Sequence, residues 1–286
     1  LMATAFMASP YRHPVIGWMN DLQNMTAADA RDWYRSWYKP NNATVVIAGD
    51  VDAKKVLAIV DKYYGAIVPQ DLPVRKPQLE PAQKGPKQVQ VKAPADGAQF
   101  AMAWKVPRLM PGKLDDPEPY ALELLTAVLD GYDNARLNRL LVKQEKVVND
   151  VGVSYDMISR GPALFLIGAN MAKGKTVAQA QNSIRKALEE LKQKGVLDAE
   201  LKRIKVRILS EQIYKRDSIF GQAMEIGGTE MAGFSWKDID YMLEKMQTIT
   251  PEQVQAVAKK YLVDDSLTIA VLDPQPRKAA IGEGKQ

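Results

Sequence analysis

Residues 25–50 read MTAADARDWYRSWYKPNNATVVIAGD, and residues 249–273 read ITPEQVQAVAKKYLVDDSLTIAVLD. Each stretch has a threonine where a helix begins, a polar turn, a β-branched run and a final aspartate. Thr250 follows Thr26 by 224 residues, and Asp273 follows Asp50 by 223. A generic helix–turn–strand unit can recur by chance, but the nearly constant offset favours a duplicated domain.

The first copy of this unit makes local predictions. Thr26 and Asp29 have the spacing of a capping box, so a helix is expected from Thr26 to about residue 38. The apolar, β-branched run at 43–48 predicts a buried strand. A further helix is expected after Asp52, with an apolar face formed by Val56, Ile59, Val60 and Tyr63.

A proline-rich segment divides the chain. Proline occurs six times between residues 69 and 94, among lysine and glutamine, which is typical of a semi-rigid linker. We therefore assign residues 1–68 to the back part of a first domain and 69–87 to the linker. Residues 88–273 are expected to form a complete second domain, and 274–286 a frayed tail. If the repeat is real, roughly 135 residues of the first copy would precede Leu1.

The second domain is predicted to be of the α+β class. Alternating or apolar runs predict strands at 88–91, 99–106, 147–157, 163–169 and 266–271. Helical periodicity predicts helices at 119–129, 135–144, 176–194, 198–224, 236–246 and 251–261, with Gly227-Gly228 as a helix break. The expected architecture is a mostly antiparallel sheet packed by helices, in two homologous domains of which the first is truncated.

Composition excludes several classes of site. Among the 286 residues there is no cysteine and one histidine, His13. Disulfides, thiolate nucleophiles, cysteine-ligated metals and three-histidine zinc sites are therefore excluded within this chain. A formal charge of +5, spread along helix-like segments, does not predict nucleic-acid binding. The sequence contains no run of about 18 apolar residues, so it predicts no membrane span. His13 is interpreted as a loop or packing residue.

Several short segments together resemble a known family. They are YRHPVIG at 11–17, YKPNNA at 38–43, GDV at 49–51, DP at 116–117, LL at 124–125 and NARL at 134–137. Their identity and order resemble the pitrilysin/insulinase family of zinc metallopeptidases over nearly the whole chain. The resemblance implies two homologous domains that face each other as a clamp. The second of these domains is the inactive one.

The resemblance also implies where zinc would bind. The catalytic domain of this family carries H-x-x-E-H, in which the histidines bind zinc and the glutamate acts as general base. The counterpart here is 120–124: Tyr120 and Leu124 replace the ligands, and Glu123 is retained. We therefore assign no catalytic residue and no metal ligand to this chain. Zinc is expected in the upstream domain, with its motif roughly 100 residues before Leu1.

The substrate-binding residues stay unassigned. The family's inactive domain often offers an arginine and, seven residues later, a tyrosine to the substrate backbone. The alignment places Val142 and Asn149 at these positions, so that pair is not carried over.

The resemblance implies a non-catalytic role. The chain is expected to close a chamber and to position peptide substrates for an upstream zinc domain. The alternative is an inactive partner subunit or scaffold, in which case the active partner is a separate chain. By analogy with relatives, and because cysteine is absent, a periplasmic or secreted location is expected.

A nucleotide-binding loop is a weaker alternative. Residues 169–176 read ANMAKGKT, which resembles a phosphate-binding loop between a strand and a helix. Ala169 replaces the glycine that lets such a loop wrap phosphate. We favour a simple turn in which Thr176 caps a helix and Gln179 completes a capping box.

Overall fold

The computed structural model describes residues 1–276, and within them five strands form one sheet. The strands are β1 (Lys87–Pro94), β2 (Gln99–Val106), β3 (Val148–Ser154), β4 (Ala163–Met171) and β5 (Leu267–Gln275). Their order in the sheet is β1-β5-β2-β4-β3, so the last strand of the chain lies between the first two. The β1–β5 pair is parallel and the other three pairs are antiparallel. The predicted mostly antiparallel sheet packed by helices is confirmed.

Helices make up much of the remaining described chain. In the first 68 residues they are α1 (Met2–Ala5), α2 (Met19–Asn24), α3 (Ala27–Trp37) and α4 (Ala53–Val60), which continues as a π-helical turn, Asp61–Gly65. After β2 they are α5 (Pro117–Asp130), a π-helical segment (Asn138–Gln144), α6 (Val177–Lys194), α7 (Asp198–Lys215), α8 (Ile219–Ala232), α9 (Asp238–Thr248) and α10 (Pro251–Tyr261). Three short 3-10 turns complete the set: Pro10–Arg12, Pro40–Asn42 and Asp264–Ser266.

The hydrophobic core lies between one face of the sheet and the helices α5, α6 and α10. Burial alternates along β4: every second residue is partly exposed, and those in between are buried, namely Ala163, Phe165, Ile167, Ala169 and Met171. This period of two is expected for a strand with one face against the core. Helix α5 is the most deeply buried helix and contacts both α10 and α7. It carries the segment that resembles the degenerate zinc motif.

The opposite face of the sheet is only partly covered. At one end, the linker and the N-terminal segment lie against it through the carboxylate of Glu80. This carboxylate accepts hydrogen bonds from the backbone N–H groups of Met7, Ala8 and Ser9 at 2.9–3.1 Å and pairs with Lys105 at 2.5 Å. We call this cluster the Glu80 junction. It joins the first 68 residues to the second domain.

The contacts of the Glu80 junction lower the pKa of the Glu80 carboxyl group. Burial alone would raise the pKa of Glu80, but the hydrogen bonds from Lys105 and from the three backbone N–H groups outweigh it and lower the pKa to about 2. Nearby, Lys87 donates to the carbonyl oxygens of Thr4 and Ala5, both at 3.1 Å. The linker is therefore ordered by polar contacts at its end nearest the sheet.

The strand predicted at 43–48 does not form. Residues 43–48 belong to no strand, and Val45 and Ile47 are 59% and 50% exposed. A strand needs a hydrogen-bonded neighbour, and residues 1–68, all of which the structure describes, contain none. The helix predicted after Asp52 is present, yet its predicted apolar face is not buried: Ile59 and Tyr63 are exposed, and Val56 and Val60 are only partly buried.

The predicted helix 198–224 is wrong in its length. The chain leaves the helix at Arg216 and re-enters one at Ile219, because the hydroxyl of Ser218 accepts a hydrogen bond from the N–H of Gly221 and starts α8. Gly227-Gly228 does not break a helix but lies inside α8. That helix ends at Gly233, whose φ of +95° is the left-handed conformation that favours glycine.

Some strand ends also differ from prediction. β1 begins at Lys87 and runs to Pro94, longer than the expected 88–91, because it pairs along its whole length with β5. β5 continues to Gln275, so the first two residues of the predicted tail belong to the sheet. β3 ends at Ser154, three residues before the predicted end. Residues 277–286 of the predicted tail lie outside the described residues.

Candidate functional site

The start of α5 shows what replaces the zinc ligands. Asp116 caps the helix by accepting a hydrogen bond from the N–H of Glu118, and Pro117 and Pro119 occupy its first turn. Tyr120 is 1% exposed and its hydroxyl donates to the carbonyl oxygen of Leu114 at 2.9 Å. Leu124 is fully buried in the same core. The side chains of Tyr120 and Leu124 therefore both pack in the hydrophobic core.

Glu123 lies on the same turn but has a different environment. It is partly buried, and among the described residues no donor forms a hydrogen bond with its carboxylate. Burial, and to a smaller degree the nearby charge of Asp156, raises the pKa of Glu123 to about 7. At neutral pH this carboxyl group is therefore divided between its protonated and ionised forms.

Glu123 lines two adjoining cavities. The larger, about 510 Å³, lies between α5, the segment after β3, α7, α8 and α9. We call it the methionine cavity, since four methionines contribute to its walls: Met157, Met224, Met242 and Met246. The smaller, about 220 Å³, lies beside α5 and α7 and also includes Asp130. The side chain of Ile208 lines both cavities with Glu123.

The cations near Glu123 have other partners. Lys215 pairs with Glu225 at 3.0 Å, and Glu225 also accepts a hydrogen bond from Gln212. Arg207 pairs with Glu211 at 2.6 Å, one turn along α7. The positive charges that line the two cavities are thus neutralised by carboxylates other than Glu123.

The open part of the sheet is a second candidate site. At the end away from the Glu80 junction, β3, β4 and the start of β2 line an open concavity of about 380 Å³. Gly152 and Gly168 are direct cross-strand partners there, and Ser154 pairs with Leu166. Small side chains leave the backbone accessible, so an extended chain could approach this surface closely.

The structure also places the other residues singled out in the sequence. Thr176 and Gln179 form the predicted capping box, and so occupy N–H groups at the start of α6 that a phosphate would need. His13 accepts a hydrogen bond from the indole N–H of Trp18 at 2.7 Å, which is a local loop contact. Asn149 donates to the carbonyl oxygen of Met171, and Val142 packs against the core.

Comparison with known protein families identifies the chain. A family model described as the peptidase M16 inactive domain matches residues 24–207, from α2 into α7. This chain belongs to the peptidase M16 family. The M16 assignment agrees with the predicted resemblance to zinc metallopeptidases of the pitrilysin/insulinase type.

Individual M16 relatives have similar sequences and folds. The chain is 26% identical to the zinc protease PqqE of Helicobacter pylori over 95% of its own length and 60% of that protein. It is 23% identical to an uncharacterized zinc protease of Mycobacterium leprae, over 98% and 62% of the respective lengths. A solved protease from Helicobacter pylori superposes with a TM-score of 0.88 at 23% identity, covering 96% of this chain and 65% of the other.

The chain thus spans about 60% of the length of these curated relatives. A solved M16 inactive domain from Pseudomonas fluorescens superposes with a TM-score of 0.80 at 18% identity, over 97% of this chain and 64% of that one. These likenesses establish the fold.

The M16 chain shows no metal centre in the part that the structure describes. Residues 1–276 contain no group of three or more histidine, aspartate or glutamate side chains placed to hold a metal ion. Within the same residues, no helix is both long and apolar enough to cross a bilayer.

Sequence reasoning found Glu123 but not its surroundings. Asp156 and the methionines of α8 and α9 reach the cavity from elements up to 123 residues away in sequence. One signal was available, because Met242 and Met246 are spaced by four residues and lie on one helix face. Nothing in the sequence showed that this face meets α5.

Proposed function

We propose that this chain is the non-catalytic half of a zinc metalloendopeptidase. In this proposal it closes a chamber around peptide substrates and positions them for a zinc domain that precedes it in the complete protein. The observation that carries the proposal is the open part of the sheet, where Gly152 and Gly168 line an accessible, shallow concavity. An unfolded peptide in an extended conformation fits such a surface.

The first 68 residues support the presence of an upstream domain. Val45, Ile47, Ile59 and Tyr63 are each at least 50% exposed although their spacing is that of buried strand and helix faces. Exposed apolar patches of this kind mark surfaces that another part of a protein covers. In the proposal, the upstream part of the first domain supplies both the cover and the missing strand partners.

The proposal can be tested by removing the second domain from the complete gene product. We expect the complete protein and a form lacking residues 88–286 both to bind one zinc ion. We expect only the complete protein to cleave an unstructured, fluorescence-quenched peptide in a chelator-sensitive way, with a loss of at least about 100-fold on deletion. Equal cleavage by the two forms would contradict the proposal. The same holds for stoichiometric zinc bound to residues 1–286 alone.

A matched pair of substitutions tests the open surface directly. A Cβ at Gly168 meets only ordinary contacts, with Leu166 at 3.6 Å and the carbonyl oxygen of Phe100 at 3.9 Å. Gly168→Ala is therefore expected to preserve cleavage by the complete protein. Gly168→Phe, which fills the surface, is expected to raise KM by about tenfold or more. Identical kinetics for the two variants would exclude this surface as the peptide-binding site.

A second candidate function is that of an inactive partner subunit or scaffold. It is favoured by a structural likeness to a chain of complex III from Candida albicans, with a TM-score of 0.72 at 16% identity over 95% of this chain and 64% of that chain. Under this alternative the complete protein lacks peptidase activity by itself and co-purifies with an active chain.

We also propose a periplasmic or secreted location, which fractionation of the source cells would test.

A further inference from the structure

The methionine cavity combines an apolar wall with one unpaired carboxylate. Its walls include Met157, Ile208, Met224, Ile239, Met242 and Met246, and Glu123 lies at the boundary with the smaller cavity. A volume of about 510 Å³ is within the range of small-molecule sites in proteins. Methionine side chains are flexible and polarisable, so such a wall can adapt to an alkyl chain.

Each of the other charged side chains that line the two cavities has an ion-pair or hydrogen-bond partner. From α7 come Arg207, Glu211 and Lys215, and from α8 comes Glu225; all four are in ion pairs. The residues of α9 that line the methionine cavity are apolar.

Two further acidic side chains and one phenol complete the set. Asp130 accepts a hydrogen bond from the N–H of Val153 at 3.0 Å, and Tyr155 donates to the carbonyl oxygen of Pro107 at 2.7 Å. Asp156 accepts from the N–H of Ile158 and adds negative charge beside Glu123. The local field therefore favours a cation at Glu123, and the described residues supply none.

We propose that the methionine cavity binds a primary aliphatic amine. The alkyl chain lies against the methionine wall, and the ammonium group pairs with the carboxylate of Glu123. An ammonium group has three donors and forms charge-assisted hydrogen bonds with a carboxylate. Both a free alkylamine and a lysine side chain have this chemistry. The proposal goes beyond the proposed peptidase role and is tested on residues 1–286 without any upstream domain.

The first test compares n-hexylamine with n-hexanol by isothermal titration calorimetry. Glu123→Gln removes the charge and keeps the shape of the side chain. It is expected to weaken hexylamine binding by at least tenfold and to leave hexanol binding unchanged. Glu190→Gln changes an exposed carboxylate of α6 that lines neither cavity and pairs with Lys194, so it serves as the matched control, with hexylamine affinity expected within twofold of the parent chain. Equal affinities of the parent chain and Glu123→Gln for hexylamine would overturn the proposal.

A pH series on the unaltered chain gives a second readout that needs no variant. Glu123 must be ionised to pair with ammonium, whereas an alkylamine with a pKa near that of lysine stays protonated below about pH 10. With a carboxyl pKa of about 7, hexylamine affinity is expected to rise about tenfold from pH 6 to pH 8. Hexanol affinity is expected to stay constant. A flat hexylamine profile would count against the proposal.

The location of binding is tested at Gly228, on α8. A Cβ placed there meets no atom within 4 Å, so a larger side chain can be introduced without a clash at its first atom. Gly228→Leu is expected to abolish binding of hexylamine and hexanol alike by filling the cavity. Gly228→Ala is expected to retain both. Undiminished hexylamine binding to Gly228→Leu would place the amine elsewhere and overturn the assignment.

A final comparison separates the two sources of the amine. Nα-acetyl-lysine amide and Nα-acetyl-norleucine amide differ in the ammonium group. Tighter binding of the lysine compound, lost in Glu123→Gln, would identify lysine side chains as ligands. Binding of hexylamine without binding of the lysine compound would restrict the site to free amines.

Discussion

The two copies of the helix–turn–strand unit have the same local signals and different outcomes. In both, a capping box forms, as predicted between Thr26 and Asp29 in α3, and also between Thr250 and Gln253 in α10, where the sequence analysis expected a helix to begin at the threonine. In α10 three residues are buried, and the strand that follows it lies between two neighbours. In α3 no residue is buried, and the segment that follows has no strand partner.

This difference shows which structural features depend on a segment's own sequence and which depend on the segments packed against it. A cap requires four consecutive residues, so both copies form it. A strand requires a second chain segment, which the second copy finds in β1 and β2. Four sets of substitutions test whether the two regions differ in stability as the structure indicates, and they follow in decreasing order of the change expected.

The largest contrast is expected from matched leucine truncations. Leu124 is fully buried in α5, whereas Leu57 in α4 is 68% exposed. Leu124→Ala should lower the free energy of unfolding by about 4 kcal/mol, because it leaves a cavity in the core. Leu57→Ala should change it by less than about 0.5 kcal/mol. Urea unfolding followed by circular dichroism measures both, and a large effect at Leu57 would show that the first region is packed in solution.

The second perturbation concerns the titration of Glu123. Its pKa in the folded chain is raised from 4.5 to about 7, so the folded state binds the extra proton between these values. Stability from this group is complete below pH 4.5 and is lost as the pH rises through 7. Glu123→Gln should therefore be more stable than the parent chain by up to about 3 kcal/mol at pH 8, and equal to it at pH 4.5. A difference that does not vary with pH would contradict this account.

The third perturbation removes the link between the two regions. Glu80→Gln loses the ion pair with Lys105 and weakens the bonds from the N–H groups of Met7, Ala8 and Ser9, at an expected cost of about 2 kcal/mol. Amide hydrogen exchange at residues 7–9 should accelerate, while exchange in β4 stays slow.

The Glu80 junction should also respond to acid in the opposite direction to Glu123. The pKa of Glu80 is lowered from 4.5 to about 2, so its contribution is complete above pH 4.5 and is lost as the pH falls through 2. Exchange at residues 7–9 is therefore expected to rise in the parent chain between pH 4.5 and 2, after correction for intrinsic rates. Protection that persists in Glu80→Gln would show that other contacts hold this segment.

The smallest effect is expected from the two helix caps. Thr250→Ala should lower the free energy of unfolding by about 1 kcal/mol, because α10 is part of the core. Thr26→Ala removes the same hydrogen bond from α3 and should leave the main unfolding transition unchanged. Equal losses for the two variants would mean that the two regions unfold as one unit.

Prediction from the sequence succeeded where signals were local. The capping boxes of α3 and α6, the strand at 163–169 and the α+β class followed from residue patterns of one segment at a time. It failed at the break before α8, where one serine side chain ends and restarts a helix that apolar periodicity had joined. It also failed at the strand after α3, because pairing depends on residues elsewhere. The position of Glu123 was predictable, but its cavity depends on how five elements pack.

The position of β5 in the sheet has a consequence for synthesis of the protein. Because β5 lies between β1 and β2, the sheet cannot be completed until Leu267–Gln275 has left the ribosome. At roughly 5–20 residues per second, β1 waits on the order of ten to thirty seconds without its strand partner, and β2 waits with one edge unpaired. During that interval the nascent chain exposes a template for intermolecular strand pairing. Chaperone demand should therefore be highest between the synthesis of β2 and the emergence of β5, and fall once β5 has paired with its two neighbours.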